Sequence, residues 1–208
     1  MAMQTIIDNH ITETPIDSLS ILLRQPGVRV MSFTKFESQA GIERHELVPM
    51  FGGNQDAATF NLDMIDGVRY VVVYNMRLPF DIVWRGVARE LGHIVLGHDG
   101  QTRPSDVRLA EAVCFAHHLI SPRPILHMIR ESIPLTMNVL TATTGCSDSC
   151  VDELRTIPGV HVPADLNREV RGLFARGINE YIRFYKASDR EDRSPLIDVG
   201  TYMDNYEE

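Results

Sequence analysis

The 208-residue chain has only three cysteines, one tryptophan and no long apolar run. A membrane helix needs roughly 18 consecutive apolar residues, and no stretch comes near that. The first residues also lack a basic segment leading into an apolar one, so a cytoplasmic protein without membrane contact is expected. Cys114, Cys146 and Cys150 are too few, and odd in number, for a disulfide framework. Cys146-x-x-x-Cys150 has no second cysteine pair to complete a structural metal site. Basic residues are in deficit as well: 20 Lys and Arg stand against 28 Asp and Glu, a net charge of −8. That balance argues against a broad electrostatic grip on nucleic acid. Repeats and low-complexity tracts are missing too. What remains is ordinary globular composition, enough for one sizeable core or a core with a small helical appendage.

The elements can be read from periodicity. Residues 15–24 form a short helix with Asp17 or Ser18 near its cap, and Pro26-Gly27 ends it. Residues 28–33 alternate as a strand does, and 34–50 read as polar helix or loop. Residues 58–62 and 69–75 flank Asp66-Gly67, a hairpin signal. After Leu78-Pro79, with Asp81 expected as cap, a helix spans about 82–97; Val83, Val87, Leu91, Ile94 and Val95 fall on its apolar face. Further helices follow at about 106–120 and 123–132. Residues 138–154 have the outline of helix, glycine turn and Ser-capped helix. A DNA reader would carry basic residues there, whereas this segment is acidic. A last helix at about 165–186 has Leu166, Val170, Phe174, Ile178, Tyr181, Ile182 and Tyr185 as its buried stripe, and the tail from Ser188 reads as polar and loose.

The chemistry concentrates in the helix at 82–97. Residues 89–93 read Arg-Glu-Leu-Gly-His, which is H-E-x-x-H with arginine in place of the first histidine. In that motif two imidazoles four residues apart lie on one helix face and grip Zn²⁺, while the glutamate reaches the metal-bound water as general base. A guanidinium is always charged and cannot coordinate a metal. Gly86, Arg89, Glu90, His93 and Gly97 share one sector, where the glycines leave room for something to approach the backbone. His98 falls on the apolar side of an ideal helix, unless Gly97 unwinds the end. On the following helix, Glu111, Cys114, Phe115 and His118 share a face.

This combination resembles the ImmA/IrrE family of zinc metallopeptidases. Their usual signature is H-E-L-G-H-x-x-L-G-H, followed by a helix reading E-A-x-x-F-A-x-x-L-L-x-P. The match is to Gly92-His93, Gly97-His98, Glu111-Ala112, Phe115-Ala116, Leu119 and Pro122, and it covers about residues 15–135. The resemblance implies an α+β fold, with a small antiparallel sheet packed on a helical bundle. Residues 1–135 would form the zincin-like domain, 136–187 a helical extension and 188–208 an acidic tail. It further implies that Glu90 is the catalytic base, His93 the second zinc ligand and Glu111 the third. Arg89 stands where the first should be, so zinc is expected to bind weakly or not at all unless Cys114 or His118 substitutes. Family members inactivate a cognate helix-turn-helix repressor by proteolysis, and such a repressor is the expected partner. Two readings follow for Arg89: its fork neutralises Glu90 and Glu111 in a metal-free site, or it points to solvent beside a vestigial cleft. Two follow for function: a binding protein that regulates the repressor, or an active zinc endopeptidase with a variant metal site.

Overall fold

A computed structural model of the chain describes residues 1–43, 45–46, 49, 56–65, 67–98, 104–154, 157, 159–188, 192 and 194–196. In chain order the elements are α1 (Ala2–Asp8), α2 (Ser18–Leu23), β1 (Val28–Ser32), α3 (Phe33–Ala40), β2 (Ala57–Ile65), β3 (Val68–Tyr74), α4 (Phe80–Val95), α5 (Ser105–Ile120), α6 (Arg123–Arg130), α7 (Met137–Thr144), α8 (Asp148–Leu154) and α9 (Ala164–Ala187). The class is α+β. Among the described residues no helix is long and apolar enough to cross a membrane.

The chain divides into two compact units, Asp17–Ala116 and Met1–Ile16 with His117–Glu208. That division differs from the segments 1–135, 136–187 and 188–208 read from the sequence. The reason is that α9 packs against both α1, which the sequence pattern leaves without an element, and α6.

The unit Asp17–Ala116 is built on a three-stranded sheet in the order β1-β3-β2. It is mixed, not antiparallel as expected. β2 and β3 form the expected hairpin, with Gly67 at positive φ in its turn; Asp66 lies outside the described residues. The chain from β1 crosses through α3 and β2 before β3 is laid down. β1 therefore joins the far edge of β3 in the same direction, from Val28 opposite Tyr70 to Ser32 opposite Tyr74. As the central strand, β3 is apolar on both faces. Val71 and Val73 pack with Met31, Phe33 and Phe60 on one side, where Phe36 of α3 stacks on Phe60 at 5.3 Å. The opposite face meets α4, which also packs on β2 and α2. With a sheet on one side and helices around it, α4 is buried all round from Gly86 to Leu91, and this enclosure sets the character of the site. Asp17 caps α2 by accepting from the Ser20 N–H at 2.8 Å. Asp81 does not cap α4: the helix starts directly after Pro79, which leaves Asp81 inside the first turn, near the positive end of the helix dipole.

In the other unit α9 is the organising element, packed on α6 and α1 through Val170, Phe174, Ile178 and Ile182. α7 and α8 form the expected helix-turn-helix outline about Gly145, with Cys146 and Cys150 buried. The described part of the tail is not loose. Asp192 accepts from Thr136 and Asn138, Pro195 O accepts from Met137 N at 2.9 Å, and Leu196 bridges to Thr136. The first turn of α7 has donors without helical partners, and the tail supplies acceptors for them.

Candidate functional site

The centre of the site is Arg89, 9% exposed, on the stretch of α4 that is buried all round. Its guanidinium has two edges, and each meets a carboxylate. On the Nη1–Nη2 edge, Nη1 donates to Asp56 Oδ2 at 3.0 Å and Nη2 to Oδ1 at 3.1 Å. On the Nε–Nη2 edge both nitrogens donate to Glu90 Oε1, at 3.0 and 2.8 Å. Nη2 also reaches Ala57 O at 2.9 Å. Bidentate, charge-assisted geometry of this kind is what the planar fork of arginine is suited to. The solvent-pointing reading of Arg89 is thereby overturned. The neutralising reading holds for Glu90 but not for Glu111; Asp56 is the second carboxylate instead.

Glu90 is 4% exposed, and its Oε2 accepts from the Thr59 hydroxyl at 2.7 Å. Burial pushes the Glu90 carboxyl above its ordinary range, and Arg89 and Thr59 pull against that rise. Its negative charge therefore depends on the guanidinium beside it. Burial alone would lower Arg89, but Glu90 and Asp56 outweigh it and hold the guanidinium above its usual value.

Asp56, just before β2, and Thr59, within it, lie 33 and 31 residues before Arg89 and Glu90, their partners. Gly86, one turn before Arg89, makes the approach possible. A Cβ there would stand 2.6 Å from Asp56 Oδ2 and 2.8 Å from its Cγ, so any side chain would drive Asp56 away.

A second cluster lies one turn further along. Gly97 takes a left-handed φ of +66° after α4 ends at Val95. The helix unwinds there, and His98 leaves the apolar side predicted for an ideal helix. Its Nδ1 stands 2.9 Å from Nδ1 of His93, and its Nε2 stands 3.1 Å from Oε2 of Glu111. Arg108 Nη1 fixes the turn by donating to His98 O at 3.0 Å. His93 and Glu111 are thus brought together through His98, whose imidazole stands between them.

As placed, the described side chains are not gathered about one centre in the way the ligands of a catalytic zinc site are. Three protein ligands must point at one centre about 2.0–2.2 Å away, and the two nitrogens of His98 face opposite ways. Position 89 offers only N–H donors. Cys114 is half-buried, and burial pushes its thiol up, away from the thiolate a metal needs. His118 is buried, two turns beyond Glu111 on α5. Among the described residues no three His, Cys, Asp or Glu side chains are grouped as a metal ion requires.

His93 carries a test of this geometry. Burial first, and then His98, Arg89 and Arg108, lower it to about 4, so it is neutral at pH 7. In the unfolded chain it titrates near 6.5, so the unfolded state holds the extra proton between those values. Stability from this residue is complete above about pH 6.5 and is lost as pH falls towards 4. Urea unfolding at intervals from pH 4 to 8 is expected to show that rise, and His93→Gln to flatten it. An unchanged slope in His93→Gln would mean that other groups carry it.

The sequence points to Arg89, Glu90, His93 and Glu111 but not to Asp56 or Thr59, and for His98 the exception holds, since Gly97 unwinds the helix end. Gly86 was the available signal, since a glycine one turn before a buried charge marks a close approach. Comparison of the chain with family models, curated proteins and solved structures finds no match, so its functional reading rests on these residues.

Proposed function

We propose that this chain is an ImmA/IrrE-type, zincin-like protein that regulates a helix-turn-helix repressor by binding it rather than by cleaving it. The observation that supports this most is the state of Glu90. A general base must accept a proton from a water that the substrate can reach. Glu90 is buried, its Oε1 takes two guanidinium N–H bonds and its Oε2 takes the Thr59 hydroxyl. Arg89 holds with an internal cation the carboxylate that the resemblance casts as the base. On this reading the chain retains the family's fold without its hydrolytic arrangement.

The test is a repressor bound to its operator, with this chain added. DNA release is expected only near equimolar ratio, with the repressor intact by mass spectrometry. Release at a hundredth of that ratio, with fragments that disappear in Glu90→Gln, would establish the peptidase reading instead.

A further inference from the structure

Asp56 and Glu90 grip the guanidinium of Arg89 along two different edges, and each is also held by a group other than the guanidinium. Asp56 Oδ1 accepts from the Ala57 N–H at 2.9 Å, and Glu90 Oε2 accepts from Thr59. Gly86 keeps open the space that the Asp56 carboxylate occupies. Each acceptor thus has an anchor besides the guanidinium, which favours the preorganisation that recognition of a cation requires. Their contacts fall on two edges of the fork, which suits a guanidinium and not a compact ammonium.

We propose that Asp56, Ala57, Gly86 and Glu90 form a guanidinium receptor, that Arg89 is its resident occupant, and that it takes a free alkylguanidinium once that side chain is removed. The arginine then belongs to a matched set with the glycine and the aspartate. Equating position 89 with a metal-ligand position rests on the functional reading above; the receptor geometry does not.

Arg89→Ala keeps Cβ, so ethylguanidinium replaces the atoms removed. Thermal unfolding of the full-length Arg89→Ala chain is followed with tens of millimolar ethylguanidinium, ethylammonium or sodium chloride. Ethylguanidinium is expected to raise the midpoint by roughly 3–6 °C, with no comparable rise from the other two. The rise should vanish in Asp56→Ala/Arg89→Ala. Equal rises from both organic cations, no rise from either, or a rise that survives loss of Asp56 overturns the proposal. Should Arg89→Ala not fold alone, a cycle of Asp56→Asn and Arg89→Lys carries the test. The two losses in midpoint must then fall well short of adding, and simple additivity overturns it. Neither measurement uses repressor or metal, so failure here is distinguishable from failure of the binding reading.

Discussion

Arg89→Met is expected to destabilise the protein by about 3–5 kcal/mol at pH 7, the range for removing one partner of a buried ion pair. The methionine fills similar volume, so the loss measures charge and hydrogen bonding rather than a cavity. Asp56 and Glu90 would be left facing each other without a cation. Glu90 escapes by taking a proton, because burial already favours its neutral form. An acid whose folded pKa is raised stabilises below its unfolded value, and that contribution is lost as pH rises through the folded value. The variant's deficit is therefore expected to be smaller at pH 5 than at pH 8. Urea unfolding at both values checks this, and a deficit below about 1 kcal/mol at both would show that the ion pair does not hold β2 to α4.

Arg89→His extends the experiment. Metal-free, it should be nearly as unstable as Arg89→Met, because an imidazole cannot serve two carboxylates as the fork does. It also restores an imidazole four residues before His93, on the same helix face. Zinc is expected to raise its stability by about 3 kcal/mol at a hundredfold excess over the dissociation constant, and to leave the wild type unshifted. One tightly held zinc per wild-type chain would end the internal-cation account.

Phe174→Ala carries the second large effect. Phe174 is 1% exposed on α9, the helix that gathers α1 and α6. Truncation removes an aromatic ring from a site enclosed by other helices, where collapse can recover little volume. The expected loss is about 3–5 kcal/mol in urea unfolding. Phe184, on the same helix but 74% exposed, provides the control. Its alanine variant should stay within about 0.5 kcal/mol of wild type. A small loss at Phe174 would mean that the stripe of α9 does not bear the packing of that unit.

The buried face of α9 illustrates what local pattern can tell. Val170, Phe174, Ile178 and Ile182 recur at helical spacing, and they are the residues enclosed. Leu166, Tyr181 and Tyr185, read as part of the same stripe, are only half-buried, because they lie at its margins. The hairpin of β2 and β3 was equally readable from its alternation and turn. The direction of β1 was not, because it depends on how the chain crosses from one edge of the sheet to the other.

The site divides along the same line. Arg89, Glu90 and His93 belong together in any helix built from these residues, since spacing of three and four is a property of the helix itself. By itself the sequence determined that face, and that an arginine stands where a histidine would grip metal. Which way the arginine turns depended on Asp56 and Thr59, carried in by the pairing of β2 with β3 and by the packing of α4 on that sheet. Where His98 points depended on a single left-handed glycine. Contacts across more than 30 residues leave no period in a sequence. Only the tertiary structure could decide that Arg89 is enclosed between two carboxylates, and that His93 and Glu111 meet through an imidazole.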